Sequence, residues 1–192
     1  GMHVVTANKG PLVLAYPELM RMAAGHGVQI RFCGTVAGGL PAVNLGQRDL
    51  AGATIHALEA LPNLTTSFIL AQMAHGLSYD RALAAAQEQG CAEADPSLDV
   101  EGWDAACKLV ILANWVLGKP ARLGDVQVQG IRGVTMEMVQ EALRKRSHVK
   151  LIAYADMERL KVSPELVPIG HPLCVSGVLN AVCFTSQYAG EE

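Results

Sequence analysis

Six charged side chains fall in one mid-chain run, among them Glu93, Asp99, Asp104 and Lys108: Glu93-Ala-Asp-Pro-Ser-Leu-Asp99-Val-Glu-Gly-Trp-Asp104-Ala-Ala-Cys-Lys108. Carboxylates suit an ammonium through charge-assisted hydrogen bonds, and a lysine whose pKa is lowered can accept a proton. Asp99 is placed to cap a helix beginning at Val100. Asp104 and Lys108 are one helical turn apart and share a face, which Ile111 and Trp115 continue. From Trp103 to Leu117 the pattern is apolar almost all round, which predicts a buried helix. A carboxylate and an ammonium at the start of such a helix are costly unless they are paired or partly wet. Two readings stay open on spacing alone. One is an ordinary ion pair on a solvated helix end, worth about a few tenths of a kcal/mol. The other is the mouth of a pocket. Glu93 and Asp95 are open in the same way, as ligand groups or as loop carboxylates beside Pro96.

The elements that must position this run can be read from periodicity. His3 to Ala7 predicts a strand, Asn8 to Pro11 a turn, Leu14 to Ala24 a helix interrupted by Pro17, and Val28 to Phe32 a second strand. This β-α-β unit belongs to a larger parallel sheet that the sequence does not supply. Thr35 to Pro41 is a loop of small residues, and a short helix follows from Ala42 to about Leu50. Further expectations are a strand at Ala53–Leu61, helices at Thr65–His75 and Tyr79–Gln89, and the long helix at Val100–Leu117. A strand at Val126–Val128, a helix at Thr135–Arg146, and strands at Val149–Tyr154, Val162–Val167 and Val182–Thr185 complete the order. The fold class is α+β: an open, mixed, largely antiparallel sheet with helices on one face, preceded by a β-α-β remnant of a Rossmann-type domain. The expected boundary separates residues 1–34, the β-α-β unit, from 35–192, the α+β domain.

Composition narrows the class. Of 192 residues 51% are apolar and the net charge is −3, which suits a packed core and offers nothing to nucleic acid. Arg144-Lys145-Arg146 reads as the cationic end of a helix. The longest apolar stretch, Leu109 to Leu117, is too short to span a bilayer. No signal peptide is read, and Gly1 before Met2 reads as an expression remnant. The five cysteines, Cys33, Cys91, Cys107, Cys174 and Cys183, form no C-x-x-C pair, so free thiols in a reducing cytoplasm are expected.

The pattern A-E-A-D-P-x-x-D-V-x-G-x-D-A-A-x-K resembles that of homoserine dehydrogenases, and Ala92 to Lys108 matches every fixed position. Thr6-Ala7-Asn8-Lys9 resembles the family's T-A-N-K segment, and Val36-Ala-Gly-Gly-Leu-Pro41 its V-G-G-G-I-P loop. Asn63-Leu-Thr-Thr-Ser-Phe-Ile-Leu70 resembles N-G-T-T-N-Y-I-L. Gly130-Ile131 and the stretch from His171-Pro172-Leu173 to Asn180-Ala181-Val182 are also similar, so the resemblance covers nearly the whole chain.

The resemblance implies NAD(P)-dependent interconversion of homoserine and aspartate 4-semialdehyde, an amino-acid biosynthetic reaction, by a homodimer, with residues 1–34 the end of a nucleotide-binding domain and 35–192 a substrate-binding and dimerisation domain. It implies two lysines near the substrate hydroxyl, Lys108 and Lys9, with Asp104 orienting the substrate or Lys108. Glu93, Asp99 and Thr65 fall at substrate contacts. A monovalent cation, commonly sodium, is implied at carbonyls of Cys33, Val36, Gly38 and Leu40; the bland reading of that loop is a hinge. Taken alone, Lys9 reads as an exposed turn lysine and Thr65 as a helix N-terminal residue. The sequence departs from the family pattern at Cys33 (usually Glu), Leu64 (Gly), Ser67 (Asn) and Cys91 (Tyr), departures that bear on substrate identity more than on reaction class.

No G-x-G-x-x-G fingerprint is present, and Gly25-His-Gly27 lacks the spacing and the preceding strand to cradle a pyrophosphate. The cofactor-binding residues are therefore unknown, and the 192 residues alone are expected to be inactive. The alternatives are a non-catalytic dimerisation or amino-acid-binding module, and a reductase of another small amino-alcohol or semialdehyde.

Overall fold

The computed structural model describes residues 1–177, 179–187 and 190–191, the last two by backbone only. The chain opens with β1 (Val4–Val5), α1 (Lys9–Gly25) and β2 (Ile30–Arg31), and β1 pairs with β2 in parallel. This is the expected β-α-β unit, with one correction. The expected turn at Asn8–Pro11 is the start of α1 instead, because Asn8 caps the helix by accepting a hydrogen bond from Gly10 N–H at 3.0 Å. Pro11 falls in the first turn, where a missing N–H costs little. Pro17 is accommodated by a break at Ala15 (φ −142°), which divides the helix in two.

A 3-10 turn at Cys33–Thr35 leads to the small-residue loop. Next come α2 (Ala42–Asn44), widening into a π-turn at Leu45–Asp49, then β3 (Ile55–Leu61), α3 (Leu64–Ala74) and α4 (Tyr79–Glu88). The long helix expected from Val100 is two helices, α5 (Ser97–Val100) and α6 (Trp103–Trp115). Gly102 separates them at φ +89°, a left-handed conformation that no side chain but glycine's hydrogen adopts readily. Asp99 thus lies within α5 and is not the cap of a helix at Val100. Asp95 marks the start of α5, its Oδ1 accepting from Ser97 N–H and Oγ–H.

The remaining elements are β4 (Gln127–Val128), α7 (Met136–Arg144), β5 (Ser147–Asp156), β6 (Leu160–Pro168), β7 (Ala181–Ser186) and β8 (Gly190–Glu191). The six-stranded sheet has the order β4-β6-β5-β3-β7-β8. The β4–β6 pair is parallel and the others are antiparallel. Alternation sorts the two faces. Leu58, Ala60, Leu151, Ala153, Ala155, Val162 and Phe184 point into the main core, where they meet Ile69, Met73, Leu109, Ile111 and Leu112 of α3 and α6. The opposite face carries only a small cluster around Leu61, Ile152, Val167, Leu173 and Cys183. Helices therefore cover one face, as the sequence predicts.

Leu12 and Phe32, from the β-α-β unit, are buried in that same main core. Phe32 stands edge-on to both Tyr16 of α1 and Trp115 of α6, with ring centroids 6.3 and 4.9 Å away. Such edge contacts add about 0.5–1.5 kcal/mol per pair beyond area burial. They lock α1 alongside α6, which fixes Lys9, the first residue of α1, opposite the start of α6.

Candidate active site

Asn63 ends the β3–α3 connection and caps α3, its Oδ1 accepting from Thr66 N–H at 2.9 Å and from the Thr66 hydroxyl. That choice orients the other end of the amide. The Asn63 Nδ2 donates to Asp99 Oδ1 at 2.7 Å and to Asp104 Oδ2 at 2.8 Å, so one side chain ties α3 to both α5 and α6. The second Asp99 oxygen lies 2.8 Å from the Thr65 hydroxyl, which also stands 2.8 Å from the Cys91 carbonyl.

Asp104 is the hub. Its Oδ1 takes the Lys9 ammonium at 2.6 Å and its Oδ2 the Lys108 ammonium at 2.7 Å. Lys108 also donates to the Pro62 carbonyl at 2.6 Å. The Asp104 and Lys108 side chains are 14% and 15% exposed, so this is no solvated helix end: the ordinary surface ion pair is ruled out. Burial pushes the Asp104 carboxyl up, but the charge of Lys108 and hydrogen bonds from Lys108, Lys9 and Asn63 outweigh it and hold the carboxyl below its usual range. Asp104 also sits in the first turn of α6, where the helix dipole favours an anion. Cys107, one residue before Lys108, has its thiol pushed up by burial and by Asp104. It is held as a neutral thiol beside the charged groups.

Two lysines and two aspartates balance in formal charge, and every oxygen of the two carboxylates has a partner. Lys9 is the more open member, with 36% of its side chain exposed. It presents an ammonium at the rim while Lys108 presents one from inside. A polar group entering between them meets two donors on fixed supports, with Asp104 fixing the position of each.

The structure brings together Lys9, Lys108, Asp104, Asp99 and Thr65 from four separate segments. It does not bring in Glu93, which is exposed; among the described residues no partner for its carboxylate is present, though its backbone carbonyl accepts from Gln87. Asn63 was missed as a site residue. The signal available was an Asn before a predicted helix, which sequence reasoning assigns to capping; only the fold shows that the same amide also grips two carboxylates. Of the loop residues, Cys33 opens the 3-10 turn, Val36 is fully buried, and Ala37 and Gly38 both adopt positive φ (58° and 60°). The Leu40 carbonyl already accepts from Ala42 N–H at 2.8 Å. Among the described residues no group of three or more His, Cys, Asp or Glu side chains could hold a metal ion.

Comparison with known proteins identifies the family. The family model for homoserine dehydrogenase matches residues 41–192. A homoserine dehydrogenase from Methanocaldococcus jannaschii is 44% identical over 98% of this chain and 56% of its own length. An NAD(+)-dependent homoserine dehydrogenase from Pseudomonas canavaninivorans is 39% identical over 99% of the chain and 56% of its own length. Among solved structures, a hyperthermophilic archaeal homoserine dehydrogenase in complex with NADPH superposes with a TM-score of 0.89 at 33% identity, over 100% of this chain and 57% of that one. The α+β fold is thus one found among oxidoreductases. The chain belongs to the homoserine dehydrogenase family. It spans a little over half the length of the relatives it matches.

Proposed function

We propose that this chain is the substrate-binding catalytic part of a homoserine dehydrogenase, interconverting homoserine and aspartate 4-semialdehyde. The observation that carries the reading is the pair of lysines, Lys9 and Lys108, on opposite oxygens of buried Asp104. Oxidising an alcohol requires a group that takes the hydroxyl proton. Lys108 is that group: as the neutral amine it keeps two N–H groups on Asp104 and the Pro62 carbonyl and turns its lone pair to the substrate hydroxyl, whose proton makes it an ammonium. Lys9 steadies the oxygen from the other side. Asp99, held on one oxygen by Asn63 and on the other by the Thr65 hydroxyl, lines with Thr65 the end that takes the amino-acid moiety. Glu93 stands exposed on the loop before α5, where a carboxylate is free to meet the substrate ammonium.

The hydride acceptor is a nicotinamide dinucleotide, NAD or NADP. The residues present do not fit its pyrophosphate. The connection from β1 to α1 has no glycine-rich turn, and Asn8 already occupies the N-terminus of α1. The chain's own contribution is therefore substrate holding and proton handling. The boundary near residue 34 marks the end of the nucleotide-binding portion in this reading. A sodium ion at the carbonyls of Cys33, Val36, Gly38 and Leu40 is part of the same reading. It is supported by the tight turn at Ala37 and Gly38, while the Leu40 carbonyl has only one lone pair left to give.

The uncovered sheet face, with Glu59, Tyr154, Lys161, Glu165 and His171 around a groove of about 360 Å³, is where a second copy packs to form a homodimer. Light scattering of the intact protein at micromolar concentration should give twice the chain mass, and a monomer would remove this part of the reading.

Leu64 supports one variation. It stands 38% exposed between Asn63 and Thr65, a bulky apolar side chain beside the residues proposed to hold the substrate. Steady-state assay of the intact protein with homoserine and other small amino-alcohols decides the substrate. Homoserine is expected to show the highest kcat/KM; preference for another amino-alcohol would reassign the substrate, and no turnover of any would leave a binding module.

A further inference from the structure

Asn180 immediately precedes β7. Its side-chain Oδ1 is buried, and among the described residues it has no hydrogen-bond partner. A buried carbonyl oxygen without a donor is costly, and folded proteins leave few of them without a reason.

Its place in the fold supplies the reason. Leu61 of β3 pairs with Ala181 of β7, and one further step in the same register sets position 180 beside Pro62. The Pro62 carbonyl is the one that holds Lys108. Strand alternation agrees. Phe184 and Val182 face the helices, so position 180 falls on that face too.

Distance along the elements agrees as well. Phe184 and Val116 are neighbours, since a Cβ on Gly46 would touch both side chains. Four residues back along the strand is roughly 13 Å. The same distance back along α6, at about 1.5 Å per residue, reaches the turn that carries Cys107 and Lys108.

We infer that Asn180 is a further ligand-contacting residue of the candidate active site, its side-chain oxygen accepting a hydrogen bond from a donor on the bound amino-alcohol. The inference rests on the proposed function. It adds an amide acceptor beside Asp99 and Asp104, whose carboxylate oxygens all have partners. The lack of a partner within the protein is then a consequence of its task, because the donor arrives with the substrate.

The test is Asn180→Ala in the intact protein, read by steady-state kinetics and by thermal unfolding without substrate. Removing an acceptor that has no partner should leave Tm unchanged or slightly raised. The KM for homoserine should rise about tenfold, with the KM for the dinucleotide unchanged. An unchanged homoserine KM, a fall in Tm of several degrees, or a rise confined to the dinucleotide KM would each overturn the inference while an active wild type keeps the proposed function standing. A wild type that turns over no homoserine overturns both.

Discussion

Asn63 does three things with one side chain. It caps α3, grips Asp99 and grips Asp104. Loss of an N-cap alone costs about 1 kcal/mol. Asn63→Ala should therefore lower stability by about 1–2 kcal/mol and lower kcat/KM more steeply, because Asp104 loses a fixed direction. Asn63→Asp keeps the cap acceptor but sets a third carboxylate against two others. Its loss of activity should exceed that of the alanine variant, and thermal unfolding with parallel kinetics separates the two effects; equal activity in both would mean the amide only caps. At this scale the sequence was partly legible. The spacing of Asp104 and Lys108 indicated one shared face, and the resemblance assigned Lys9, Asp99 and Thr65. Periodicity alone left the Asp104–Lys108 pair open, because whether a helix end is wet or buried depends on what packs over it. Here α1 does so, bringing Lys9 from 95 residues away.

The break at Gly102 is the element on which the site turns. It lets α5 and α6 diverge, so that Asp99 and Asp104 approach Asn63 from different helices. Gly130 backs this arrangement. A Cβ there would lie 2.2 Å from the Val100 carbonyl oxygen and 2.5 Å from Glu101 Cα, and the next residue, Ile131, donates its N–H to that carbonyl at 2.7 Å. Gly130→Ala must push α5, and with it Asp99, off this seat. The expected cost is about 1–3 kcal/mol, with a raised homoserine KM; wild-type kinetics in a stably folded variant would show that α5 has slack. The sequence predicted one continuous helix here, since a single glycine is weak punctuation in an apolar run. It also read a turn at Asn8–Pro11, because Pro11 and Gly10 look like breakers until Asn8 caps them into a helix. The strands β5, β6 and β7 are expected in the right order but one or two residues short at each end, where a periodic signal fades, and β8 was not expected.

Across the whole molecule, one sheet face is buried by α3, α6 and α7, and this layer carries Asn63, Thr65, Asp104 and Lys108. The aromatic trio Tyr16, Phe32 and Trp115 couples the β-α-β unit to that layer, so Lys9 reaches Asp104 only when the two parts share their core. The architecture was legible from the sequence because alternation and helical periodicity differ so clearly along this chain. The cluster's wiring was not, because it is assembled across four segments. The central claim is that Lys108 takes the proton as the alcohol is oxidised. The direct measurement is the turnover of homoserine by the intact protein carrying Lys108→Ala, with homoserine binding followed by calorimetry in the same preparation. The kcat is expected to fall about 10²–10⁴-fold with homoserine still bound. Turnover within threefold of wild type would contradict it.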